Sequence, residues 1–210
     1  MTKSERARVV AELLAGAYPE AACELDYRDP WQLLVATVLS AQCTDQRVNQ
    51  VTPGLFERWP TPAAMAGAPL EEVEQAVRPT GFYRNKARAV REAARAVVSR
   101  HGGTVPQDLE ALVELPGVGR KTAKVVLGEA FGLAAGIAVD THVRRVAGRL
   151  GLTRSTDPEA IADELERLVP QSGWVAFSMR MILHGRRVCT ARRPSCAGCP
   201  LEPACAKLGV

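Results

Sequence analysis

Apolar positions along this chain recur at three- and four-residue intervals in one segment after another, the spacing that lines one face of an α-helix. Asp29-Pro30 is a cap with proline at the first helical position, and it opens a helix through WQLLVATVLSAQ. That segment is apolar nearly all round, which predicts a central helix. Thr44 or Asp45 caps the next helix, which runs toward Trp59 and is expected to break near Pro53. Thr61-Pro62 and Pro69 punctuate two short helices. Thr80-Gly81-Phe82-Tyr83 is a turn with two exposed aromatics, followed by a long helix that stops at Gly102-Gly103. Its predicted apolar face is Tyr83, Ala87, Val90, Ala94, Val97 and Val98, with Arg84, Arg88, Arg91 and Arg95 opposite. Ala123, Val126, Leu127, Ala130 and Phe131 form a further stripe, with Lys121, Lys124, Val125 and Gly128 on the other side. Asp140 caps a helix carrying Arg144, Arg145 and Arg149. Thr156-Asp157-Pro158-Glu159 offers a capping box and a proline start to the stripe Ile161, Leu165, Leu168. Trp174, Phe177, Ser178 and Met181 make the last stripe. The nearest thing to a strand is GIAV at 136–139. The pattern predicts an all-α protein.

Composition narrows this little. A chain of 210 residues, 47% hydrophobic and 24% charged, is long enough for one or two domains with a real core. Its start is charged and amphipathic, unlike a secretory signal. No apolar run approaches the roughly 20 residues of a membrane span. A net charge of +4 leans weakly toward a polyanionic partner. The expectation is a cytoplasmic protein that is not secreted.

The candidate chemistry starts in LPGVGRKTAKVV, from Leu115. Gly117 and Gly119 flank Val118 in a tight turn that a second molecule can approach closely. The helix behind it opens on Arg120-Lys121, and free amides at a helix start attract phosphate. The same positive end disfavours an ammonium on Lys121, and a free lysine amine attacks carbonyl-like carbon to form a Schiff base. Taken singly, each piece has a plain structural reading: a backbone contact to nucleic acid, a solvated lysine, and an N-cap at Asp140.

The tail is more specific. Cys189, Cys196, Cys199 and Cys205 are spaced C-x6-C-x2-C-x5-C, with Pro194, Pro200 and Pro203 between them. Four thiolates so close suit a tetrahedral metal or a [4Fe–4S] cluster. Zinc sites more often use two facing Cys pairs, and only Cys196/Cys199 is such a pair, so a cubane is the better match. Cys23 and Cys43 read as buried apolar residues. Arg186, Arg187, Arg192 and Arg193 make the loop basic, suited to phosphate. Electron transfer is a competing role, though no second cluster, flavin or nicotinamide motif accompanies it.

Together LSAQCTDQRVN, TGFYRNKA, LPGVGRKTAKVV, VDTH, HGRRVC and the four-Cys tail resemble, in order and spacing, the endonuclease III family of the helix-hairpin-helix DNA glycosylases. The resemblance runs from about Val9 to Leu208. It implies a bilobal all-helical fold: a six-helix domain over 23–133, with the helix-hairpin-helix at about 108–131, and a discontinuous [4Fe–4S] domain from 1–22 and 134–210. It implies a monomeric base excision repair enzyme acting on double-stranded DNA that contains damaged bases or abasic sites. Such an enzyme removes oxidised or damaged pyrimidines and cleaves the abasic strand by β-elimination through a lysine Schiff base. Lys121 would be the nucleophile, facing Asp140 across the cleft between lobes. Gln42 would fill the gap left by the flipped nucleotide. Phe82 would wedge the opposite strand where the family often has Leu. Leu115, Gly117, Val118, Gly119, Arg120, Lys124, His142, Arg145, Arg192 and Arg193 would contact DNA, Lys124 standing where Asn is common.

Two other readings are separable. Adenine glycosylase relatives use a carboxylate in the first core helix and lack the lysine; Pro30 to Thr44 contains no Asp or Glu, and Lys121 is present. A non-catalytic DNA-binding module would not need both Lys121 and Asp140.

Overall fold

The computed structural model describes all 210 residues and is helical, without a β-strand. The chain divides into two compact units, Glu24–Leu133 and a discontinuous one of Met1–Cys23 with Ala134–Val210. No helix is long and apolar enough to cross a membrane.

The discontinuous unit begins with α1 (Lys3–Ala17). A reciprocal capping box starts it: the Thr2 hydroxyl accepts the Glu5 amide, and the Glu5 carboxylate accepts the Thr2 amide. Sequence patterning did not single this box out.

The continuous unit is built around α2 (Pro30–Leu39), capped by Asp29, whose carboxylate accepts the Gln32 amide. Leu33 through Leu39 are all buried, as expected of a central helix. α3 (Asp45–Arg58) is capped by Thr44 and runs unbroken past Pro53, contrary to the expected break. The proline forfeits one backbone bond, inside a helix already held by the buried Val48, Thr52, Leu55 and Phe56. The five-residue α4 (Pro62–Ala66) and α5 (Leu70–Val77) pack on α6 (Tyr83–His101). The apolar face of α6 is buried at Ala87, Val90, Ala94 and Val97, whereas Val98 is 38% exposed. α7 (Leu109–Val113), the hairpin, and α8 (Arg120–Phe131) follow, with α7 packed on α8 and α8 on α2. α8 is not two-sided. Lys124, Val125 and Gly128, expected opposite the apolar stripe, are buried along with it.

The chain then re-enters the discontinuous unit through 134–140, which is irregular. GIAV forms no strand, yet Ile137, Ala138 and Val139 are buried. Side chains supply what a sheet partner would: the Ile137 amide donates to Glu166 Oε1 at 2.7 Å, and the Ala138 amide to Ser178 Oγ at 3.0 Å. α9 (Thr141–Arg149), α10 (Pro158–Leu168) and α11 (Trp174–Arg187) complete the unit. α11 packs on α9 and α1, and α10 on α1. α10 is capped by Asp157, without the expected capping box. Cys23 and Cys43 are half-buried, not buried as expected.

Candidate functional site

In the continuous unit the hairpin Leu115–Gly119 rests on its apolar side chains. Leu115 and Val118 are buried, and the Val118 amide donates to the Leu115 carbonyl at 3.1 Å. Gly117 has φ +79, and a Cβ there would lie 2.7 Å from Ala89 Cβ and near Val38. Only glycine lets the turn settle onto α6 and α2. Gly119 differs: its φ is −93, and a Cβ there would meet nothing within 4 Å. It caps α8 without a side-chain bond, so the first-turn amides stay open. Lys121 is half-buried on that first turn; Arg120 is exposed and pairs with Glu110 at 2.9 Å. Lys124 is only 7% exposed, buried with the apolar stripe of α8 rather than on an open surface.

Gln42 and Phe82 stand out by backbone. They are two of the three non-glycine residues with positive φ, at 53 and 48. Each conformation costs about 1–2 kcal/mol. Both residues are exposed, Phe82 at 64%.

The other unit holds Asp140 at the start of α9. Its Oδ1 accepts the His142 and Val143 amides, both at 2.8 Å, which orients the carboxylate and leaves Oδ2 outside both bonds. His142 Nδ1 accepts from Arg145 Nη2 at 3.1 Å. Arg145 also donates to the carbonyls of Gly185, at 2.8 Å, and Cys189, at 3.0 Å. Arg145, half-buried, thus ties α9 to α11 and to the start of the cysteine loop. Gly185 makes this packing possible, because a Cβ there would sit 2.8 Å from His142 Cβ.

Cys189, Cys196, Cys199 and Cys205 line one small cavity with Val146, Leu150 and Leu201. No three His, Cys, Asp or Glu side chains are drawn together as tightly as a single ion requires. Donors approach three of the sulfurs. Arg149 Nη1 lies 3.4 Å from Cys189 Sγ, the Lys207 amide 3.4 Å from Cys205 Sγ, and His184 Nε2 3.7 Å from Cys199 Sγ. Burial pushes the Cys199 thiol up, and the three other thiols add to the shift. Burial holds His184 down, to about 4. Its neutral ring can donate from Nε2 to sulfur while Nδ1 accepts from the Tyr18 hydroxyl at 3.1 Å. Arg149 also donates to the carbonyls of Thr190, at 2.7 Å, and Ala191, at 2.9 Å. Arg192 and Arg193 are exposed on this loop. Sequence patterning missed Tyr18, Arg149 and His184. The four-residue step from Arg145 to Arg149 was a signal that both share a helix face.

Comparison with known proteins identifies this arrangement. Residues 35–171 match the model of the HhH-GPD superfamily base excision DNA repair proteins. Endonuclease III of Synechocystis is 52% identical, over 97% of this chain and 93% of its own. The Escherichia coli K12 enzyme is 40% identical, over 98% and 96%.

The chain belongs to the endonuclease III family.

A structure of a trapped endonuclease III–DNA covalent intermediate, an estranged-adenine complex, superposes with a TM-score of 0.93 at 45% identity. It covers 99% of this chain and 97% of that one. A thermostable thymine-DNA glycosylase shares the fold, with a TM-score of 0.87 at 24% identity. As a member of that family, this chain is a base excision repair DNA glycosylase and abasic-site lyase.

Proposed function

We propose that this enzyme removes oxidised or damaged pyrimidines from duplex DNA with Lys121 as nucleophile and Asp140 as its electrostatic partner. The observation that carries the reading is the start of α8: an uncapped helix terminus behind a glycine with no side chain to obstruct approach, and a lysine on its first turn. Open amides there suit a DNA phosphate. The Lys121 amine attacks C1′ of the sugar; the bond to the base breaks, and the base departs with the electron pair and takes up a proton. The sugar ring opens to an imine. The imine acidifies the C2′ proton, and its loss expels the 3′ phosphate, cleaving the strand. The Asp140 carboxylate, oriented by two amides, stabilises positive charge developing on the sugar.

Gln42 would occupy the gap left by the flipped nucleotide and Phe82 would enter the opposite strand; their exposure and their unusual backbone support this. Gly117, Gly119 and Arg120 would meet phosphate at the hairpin, with His142 near the sugar and Arg192 and Arg193 on the cysteine loop.

The four cysteines fit a [4Fe–4S] cluster as a donor set: all four line one cavity, and three sulfurs have donors that favour thiolate. The cluster would bind the loop into one piece; no step of the reaction is assigned to it. The enzyme would work as a monomer in the cytoplasm, on nucleoid DNA.

Borohydride trapping on duplex DNA containing an abasic site tests the reading. A covalent complex that disappears in Lys121→Gln, with binding retained, supports it. DNA binding without a trapped complex in the wild type would leave a non-catalytic module.

A further inference from the structure

Lys86 is buried, at 6% exposure, on the third residue after the Tyr83 start of α6. Burying an ammonium is costly, and an apolar side chain of the same length would avoid the cost. What the amine supplies is a fixed donor: Nζ bonds the Thr80 carbonyl at 2.7 Å. The Lys86 backbone amide donates to the Phe82 carbonyl at 3.1 Å. One residue therefore grips the chain on both sides of Gly81-Phe82, the segment whose two φ angles are +69 and +48. Thr80 is itself fixed, its hydroxyl donating to the Val77 carbonyl at 2.8 Å.

The second exposed loop is tied to the same turn through α3. Burial lowers the Lys86 pKa, while Cys43 is near enough to act on it in the opposite direction. Cys43 follows Gln42 directly, its amide held by the Ser40 carbonyl at 3.0 Å. α3, which begins two residues later, packs on the turn Arg78–Thr80. One buried cation is thus bonded under the Phe82 turn, and the helix that follows the Gln42 loop packs on the Arg78–Thr80 part of the same turn.

We infer that Lys86 is a positioning residue: its buried amine fixes the Thr80–Phe82 turn, on whose start the helix following the Gln42 loop packs, so that both exposed tips are set before DNA arrives. This rests on the proposed insertion of Gln42 and Phe82 into the duplex. Neither the cluster nor the lyase chemistry needs this amine, so its loss should be felt only where a base pair must be opened.

The test compares Lys86→Met with wild type and Phe82→Ala in cluster-loaded enzyme, after circular dichroism and melting establish that each is folded. Single-turnover base excision is measured on a duplex with a damaged pyrimidine opposite 2-aminopurine, whose emission rises when it is unstacked. Strand cleavage is measured on a single-stranded oligonucleotide with an abasic site. In Lys86→Met, duplex excision should fall about 10-fold or more and the emission rise should shrink. Single-strand cleavage should stay within about twofold, since positioning at the duplex is not required there. Unchanged excision and emission in folded Lys86→Met would overturn the inference, as would an equal loss on the single strand. Should Lys86→Met not fold, Lys86→Gln, which keeps a donor on a shorter stem, is judged by the same two rates. Phe82→Ala separates the two levels. If it leaves the emission rise intact, the insertion reading fails; if it removes the rise and Lys86→Met does not, only the role of Lys86 fails.

Discussion

The turn at Leu115–Gly119 and the loop from Cys189 to Cys205 both hold irregular backbone near the surface, one on an apolar footing and the other on a polar one. The turn buries Leu115 and Val118 and lays Gly117 against Ala89 and Val38. The loop buries only Leu201 and Ala204 and takes its shape from donors on α9: Arg145 to the Cys189 carbonyl, Arg149 to those of Thr190 and Ala191. Thr190 Oγ1 adds a bond to the Arg193 carbonyl at 2.7 Å. Apolar contact is complete once the chain has folded. The polar loop depends instead on a few charged donors and, with the proposed cluster, on the sulfurs, and that difference sets the expected consequences of mutation.

The largest expected effect is therefore in the loop. The protein should be brown, with about four irons per chain. Cys199→Ser should lose soluble yield and iron together, because the loop has little apolar core to fall back on. Stoichiometric zinc without iron in anaerobically purified protein would break the contrast. Next comes Asp140→Asn. Asparagine caps a helix about as well as aspartate, so melting should barely move while base release slows on the order of 10²-fold. A matching loss of stability would show that Asp140 serves the scaffold alone.

Arg149→Met should cost about 2–3 kcal/mol, because it leaves two loop carbonyls without their charged donor. Denaturant unfolding of the iron-loaded protein measures it. The two hairpin glycines sharpen the comparison further. Gly117→Ala should cost about 1–3 kcal/mol through its left-handed backbone and the collision with Ala89. Gly119→Ala should change stability by less than about 0.5 kcal/mol, its φ being ordinary and its surroundings open. It should instead weaken binding to abasic DNA, which a fluorescence titration would detect.

The helices were legible because burial on one face leaves a periodic trace, as in Val90, Ala94 and Val97 of α6. The trace fails where a helix is covered on several sides. α8 looked two-sided because Lys124 and Gly128 are not apolar types, yet both are buried. Pro53 looked like a break because composition does not reveal how firmly tertiary contacts hold the rest of α3. At the candidate site, chemistry-bearing residues were legible where spacing is specific, as in the four cysteines. The residues that position them were not. Lys86, Arg149 and His184 act through carbonyls and sulfurs distant in sequence or invisible to side-chain pattern, and an isolated Lys, Arg or His looks the same whether solvated or buried. Gln42 and Phe82 show the same limit from the other side, since their left-handed backbone leaves no mark in residue type.

On the proposed mechanism, chemistry begins at the first turn of α8. Reductive trapping of the enzyme on abasic DNA, followed by proteolysis and mass mapping of the peptide that retains the sugar, tests this most directly. The adduct should fall on Lys121, within the peptide that opens α8. An adduct on Lys124, Lys86 or the N-terminal amine, with Lys121 unmodified, would contradict it.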